Sequence, residues 1–158
     1  MAATSPTIER LERDAFRLRL GYGPCGQLFQ YWRSKIVFGR LPHRVDIDPL
    51  QVRGILDGMF IATWDPDAAT YRFLIAGLGL PGLFDAEPRD RTLEEILPAR
   101  LGRDERPLYD VCLASAVAFG AEFRRRGSGA LLYRRLLLPV TANNRDLNTV
   151  LGMYEPLD

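Results

Sequence analysis

The spacing of apolar residues changes period twice along this chain, and that change limits the folds open to it. Residues 59–64, MFIATW, form a run rich in aromatic and branched side chains, which predicts a strand. Asp65-Pro66-Asp67-Ala68-Ala69-Thr70 has turn chemistry, and residues 71–76, YRFLIA, predict a second strand. Together they read as a β-hairpin. Glycine and proline then break residues 77–106 into short helical turns. Thr92, followed three residues later by Glu95, marks one helix start. Pro107 is expected to open a longer helix over residues 108–119, with Leu108, Val111, Cys112, Ser115 and Phe119 on one face. Strand patterning returns at 121–126, 130–141 and 147–155, with turns at Gly127-Ser128-Gly129 and at 142–146. Two strands before the helices and three after them predict an α+β fold: one five-stranded antiparallel sheet with helices on one face.

The N-terminal part reads as helical. Ser5 and Pro6 suit a helix start, and Ile8, Leu11, Ala15 and Leu18 form a stripe that ends before Gly21-Tyr22-Gly23-Pro24. A second helix is expected over 26–38, carrying Leu28, Phe29, Tyr31, Trp32, Ile36 and Val37. After the linker Arg40-Leu41-Pro42-His43-Arg44, Asp48 and Pro49 cap and open a short helix over 49–56. This layout divides the chain into a helical cap and linker, 1–45, and a domain proper, 46–158. The N-terminal helices are expected to cover an edge or the far face of the sheet and to form the surface of a homodimer.

Bulk composition narrows the function. With 158 residues, 47% hydrophobic and 26% charged, the chain suits one domain with a sizeable core. A net charge of +1, from 21 basic and 20 acidic residues, supplies no concentrated field for nucleic acid. All the basic residues but Lys35 are arginine, which reads as GC-rich bacterial coding. No apolar run is long enough to cross a bilayer and the N-terminus lacks a signal layout, so no membrane association is expected and a cytoplasmic location is. Cys25 and Cys112 have no metal spacing and read as free buried thiols, and His43, the one histidine, sits beside arginines in the linker. Metal binding and a nucleophile–base triad are therefore not expected. Glu94-Glu95 and Asp104-Glu105 read as solvated caps, and no strand carries an inward carboxylate. Gly77-x-Gly79-x-x-Gly82 spells a dinucleotide fingerprint, but no compact βαβ unit follows it. Arg124-Arg125-Arg126 reads as a charged edge strand, with a docking patch for an acidic partner as the other reading.

Particular residues add a resemblance. Tyr31-Trp32-Arg33, Leu41-Pro42-x-Arg44-x-Asp46-Ile47-Asp48-Pro49, Tyr71-Arg72-Phe73-x-x-Ala76-Gly77, Tyr133-x-Arg135-x-Leu137-Leu138-Pro139 and Val150-Leu151-Gly152 together resemble a PAS subfamily. It is common in α-proteobacteria and often stand-alone. The LPxRxDIDP element is its most specific part. The resemblance implies a non-catalytic sensory or signalling domain that binds a small ligand or a protein partner. Flavin and haem are disfavoured as cofactors: neither cysteine lies in an Asn-Cys-Arg-Phe-Leu-like motif, and the helix before the third strand has no histidine. A mostly apolar cavity between sheet and connecting helices would then be walled by Phe73, Ile75, Phe84, Leu97, Val111, Cys112, Ser115, Phe119, Tyr133 and Met153. Ser115, Tyr133 and Arg135 are its candidate polar anchors. Two alternatives stay open: a ligand-free interaction scaffold, and a small cone-fold isomerase or hydratase, which would need a buried carboxylate.

Overall fold

The computed structural model describes residues 6–11, 23–84, 86–96, 99–125, 131–142 and 146–156. Its strands are β1 (Pro6–Leu11), β2 (Met59–Asp65), β3 (Thr70–Ala76), β4 (Phe119–Arg125), β5 (Leu131–Val140) and β6 (Thr149–Pro156). Its α-helices are α1 (Pro24–Ser34), α2 (Leu80–Phe84), α3 (Leu93–Ile96) and α4 (Ala99–Ser115). Two 3-10 segments, Arg44–Asp46 and Pro49–Gly58, lead into β2. The five expected strands are all present, and all pair antiparallel in the order β4-β5-β6-β2-β3.

A sixth strand extends that sheet and corrects the reading of the N-terminus. Residues 6–11 are not helical: β1 pairs along its length with β4, from Pro6 opposite Arg125 to Leu11 opposite Gly120. The spacing of Ile8 and Leu11 suits a helix turn, but a lone short helix is marginal. Pairing instead satisfies the outer row of backbone groups on β4. β4 is thus not the exposed edge expected from its arginines. Ser5, Ala15, Leu18 and Arg126 lie outside the described residues.

The strands alternate cleanly between two cores. On the first face lie Phe60, Ala62, Tyr71, Phe73, Phe123, Tyr133, Leu137, Val150 and Tyr154, covered by α3 and α4. On the second lie Met59, Ile61, Leu136, Leu138, Val140, Leu151 and Met153, covered by α1 and the longer 3-10 segment. Both faces are therefore dressed with helix. Gly152 belongs to the first face, directly opposite Phe60, and a Cβ there would stand 2.0 Å from the Phe60 ring. The far end of the ring fills the space that a side chain at 152 would take.

α1 starts where Pro24 pre-sets the first helical turn. It buries Cys25, Leu28, Phe29 and Trp32 against the second face, and full burial of each larger one is worth about 1.5–3 kcal/mol. The Trp32 indole donates to the Pro139 carbonyl at 2.9 Å, which fixes the helix to β5. The helix ends earlier than expected. Residues 37–40 form a tight turn in which Phe38 (φ 52°) and Gly39 (φ 73°) are both left-handed, and the Arg40 N–H returns to the Val37 carbonyl.

The LPxRxDIDP element is a strap stitched to the end of β5. The Arg44 N–H donates to the Thr141 carbonyl at 2.7 Å, and the Thr141 N–H to that of Pro42 at 2.9 Å. His43 and Asp46 cap each other's turn: His43 Nδ1 accepts from the Val45 N–H, and Asp46 accepts from the His43 N–H. The Tyr31 hydroxyl accepts from the Asp48 N–H at 2.8 Å and donates to Gln51. The capped, proline-opened segment is present as expected, but wound as 3-10.

Gly77 and Gly79, after β3, allow close backbone contact with the end of the Pro49–Gly58 segment. A Cβ on Gly77 would fall 1.9 Å from the Leu56 carbonyl oxygen. Pro107 does not open α4 but sits inside it, eight residues in, on the exposed side. There it removes one helical N–H donor. Among the described residues, no helix is long and apolar enough to cross a membrane and no cluster of His, Cys, Asp or Glu could hold a metal ion.

Candidate functional site

The connector helices place a charged pair at the centre of the first face. Arg135 is wholly buried on β5, and Glu105 on α4 is 1% exposed. Arg135 Nε donates to Glu105 Oε2 and Nη2 to Oε1, both at 2.7 Å. This bidentate fork is the strongest geometry available to such a pair. The Tyr154 hydroxyl donates to Glu105 Oε2 at 3.2 Å and lies 3.4 Å from that of Tyr109. Arg135 Nη1 has no hydrogen-bond partner among the described residues.

Aromatic rings fill the space around the pair. Phe60 meets Phe73 at 5.0 Å and Tyr154 at 5.3 Å between ring centres, and Phe84 meets Tyr154 edge-on at 5.0 Å. Phe123 stacks on Tyr133 at 4.3 Å, and the Arg135 guanidinium lies 5.9 Å from the Phe123 ring. Burial works against the charge of Arg135, but the Glu105 carboxylate more than offsets it and holds its pKa above the ordinary value. Burial pushes the hydroxyls of Tyr109, Tyr133 and Tyr154 up, and the same carboxylate adds to each shift. The Cys112 thiol is pushed up to about 12 by burial. Tyr71, at the rim, donates to Asp110 at 2.6 Å and is also raised, first by burial.

Of the expected wall residues, Phe73, Cys112, Tyr133 and Arg135 are buried in this core, while Phe84 and Phe119 pack against it half-buried. Four lie elsewhere. Ile75 is 41% exposed because an irregularity in the β2–β3 pairing places Ile61 opposite Ile75 but Ala62 opposite Phe73. That shift gives Ile75 the face of Ile61 instead of the face of Phe73. Val111 and Ser115 point outward, because the inward stripe of α4 is Glu105, Leu108, Tyr109 and Cys112. Ser115 is spent on its own helix, where its hydroxyl donates to the Val111 carbonyl. Met153 is fully buried, but in the second core, one residue out of step with Tyr154. Leu97 lies outside the described residues.

Glu105 is the main residue that sequence reasoning missed. Read as a solvated cap, it instead occupies the position three before Leu108, four before Tyr109 and seven before Cys112. That helical stripe was the signal available.

Inward strand carboxylates also exist, against expectation. Glu122 and Glu155 are buried on β4 and β6, on the second face, flanking Arg134 of β5 at 3.7 Å each. Glu155 accepts hydrogen bonds from the backbone and thiol of Cys25 at the start of α1. Burial raises the pKa of Glu155, and burial together with the Glu155 charge raises that of Cys25.

Comparison with known proteins places this arrangement. No curated protein matches the chain. A family model described as a PAS domain matches residues 23–155, from the first turn of α1 through Glu155. Such domains are in general non-catalytic modules of sensing and signalling. The match leaves β1 outside and takes in α1, the strap, both cores and the Glu105–Arg135 pair. Covering most of the sequence and agreeing with the strand order, it establishes that the chain belongs to the PAS domain family.

Proposed function

We propose that this chain is a non-catalytic signalling module that works through contacts with other proteins. One observation supports the reading above others. The face where a PAS ligand would be enclosed is occupied ring against ring, and its carboxylate is engaged by neighbouring side chains. Both oxygens of Glu105 are engaged, one by Arg135 alone and the other by Arg135 and Tyr154. A carboxylate so occupied is badly placed to exchange a proton with a substrate. This speaks against an isomerase or hydratase, even though the buried carboxylate such an enzyme needs is present.

Native mass spectrometry of the protein, gently purified from its own host, tests the reading. The expected result is the chain bound to a protein partner or to a second copy. A small molecule carried one per chain that slows amide exchange in α3, α4 and β4 would place a ligand inside the first face and overturn it.

A further inference from the structure

A second concave feature lies away from the aromatic interior, and it goes beyond the reading above. Where the Pro49–Gly58 segment turns into β2, a groove of about 380 Å³ runs between that segment, the start of α2 and the end of β6. That volume is at the small end of the range for ligand sites, about 300–1,000 Å³. Its walls are apolar, built from Pro24, Ile55, Leu80, Met153 and Pro156. Its charged groups are two carboxylates, Asp57, which is exposed, and Glu155.

Glu155 is the unusual member. It is 6% exposed, yet among the described residues its buried Oε2 accepts no hydrogen bond, and Arg134 Nη1 stands off at 3.7 Å. Its bonds to Cys25 therefore fall to Oε1. A buried carboxylate oxygen left without a donor is costly, because it has surrendered water without replacement. A donor brought into the groove would supply what is missing. The terminal torsion of a glutamate is soft, so Oε2 can be drawn forward to meet it. Gly54 leaves room at the groove: among the described residues nothing lies within 4 Å of where its Cβ would stand.

We infer that this groove binds a small organic amine, its ammonium on Glu155 and its apolar body between Ile55, Leu80 and Met153. An anion is disfavoured by the two carboxylates, and a purely apolar compound leaves Oε2 as it is. Because Glu155 holds the first turn of α1 and Tyr154, its neighbour, holds Glu105, occupancy would be felt on both faces of the sheet.

The test is a titration of the full chain, followed by amide NMR, with phenethylamine, phenethyl alcohol and phenylacetate. These share a ring and differ in the charge and donor they carry. Phenethylamine is expected to shift amides around Gly54, Gly58 and Gly79 and to bind about tenfold or more tighter than phenylacetate, a difference of about 1.4 kcal/mol. Gly54→Trp, which fills the groove without touching Glu155, is expected to abolish binding while leaving the fold intact. Glu155→Gln is expected to erase the preference for amine over alcohol. Equal binding of amine and acid, binding untouched by Gly54→Trp, or no binding of phenethylamine would each overturn the inference. Protection from exchange distinguishes this site from the interior: an amine here slows the Pro49–Gly58 segment and the end of β6, not α3 and α4.

Discussion

Removing one partner of the Glu105–Arg135 pair separates charge compensation from simple packing. In Glu105→Gln the guanidinium stays wholly buried and keeps its charge, but loses the carboxylate that offsets its burial. Breaking a buried pair from one side typically costs about 3–5 kcal/mol. In a domain of this size each kcal/mol lowers the midpoint of thermal unfolding by about 2–4 °C, so a fall of roughly 6–20 °C is expected. The double variant Glu105→Leu/Arg135→Met removes both charges and keeps most of the volume. Replacing both partners together is often neutral or stabilising. Here the Tyr154 hydroxyl also loses its acceptor, a loss of about 1 kcal/mol, so the double variant should unfold within about 2 kcal/mol of the parent. Urea unfolding of the parent, Glu105→Leu, Arg135→Met and the double variant completes the cycle, with Glu105→Gln measured beside it. A Glu105→Gln cost below about 1 kcal/mol, or a double variant as unstable as the worse single one, would refute the compensation argument.

Other expectations follow from positions described above. Gly152→Ala should destabilise by about 1–3 kcal/mol in urea unfolding, since its Cβ would meet the Phe60 ring at 2.0 Å and force it aside; an unchanged midpoint would mean that the ring is not seated there. Phe38→Asn should instead stabilise by about 1 kcal/mol, because the phenyl is 98% exposed and its backbone is left-handed; a loss of stability would show that the ring has contacts after all. The raised thiols and tyrosines set an alkaline limit. Their protonated forms are favoured by the fold, so their contribution is complete below the ordinary thiol value of 9.0 and is lost as pH rises past it, through about 12 for Cys112. Thermal midpoints should fall steadily above about pH 9, and Tyr71, Tyr109, Tyr133 and Tyr154 should ionise only as the chain unfolds; phenolate absorbance appearing before the loss of circular dichroism would contradict this.

Local pattern was enough to find β2 to β6 and the helices between them, because branched and aromatic runs bounded by turn chemistry carry their own period. It failed where a partner distant in sequence decides the outcome. Residues 6–11 become a strand only because β4, more than a hundred residues later, offers an unpaired edge. Ile75 left the wall through an irregular pairing with β2, and Met153 through the phase of β6 against its neighbours; neither can be read from one strand alone. Glu105 was misjudged because its reason for being buried, Arg135, lies 30 residues away. Cys112 and Tyr133 were placed in the right core because burial of thiols and rings needs no specific partner. The groove at Glu155 had no local signature, since its walls come from α1, the Pro49–Gly58 segment, α2 and β6.

The alternation of β6 has a mechanical consequence. Leu151 and Met153 are anchored in one core, Val150 and Tyr154 in the other, and Glu155 is tied to α1. Sliding this strand by one residue would drive Tyr154 among aliphatic side chains and bring Met153 up to the charged pair. The smallest shift that preserves both faces is two residues, about 7 Å, which would break every cross-strand contact on the way. The central strand is thus geared and cannot translate. Whatever message crosses this sheet must travel as a change of twist or tilt, with β6 as its axle.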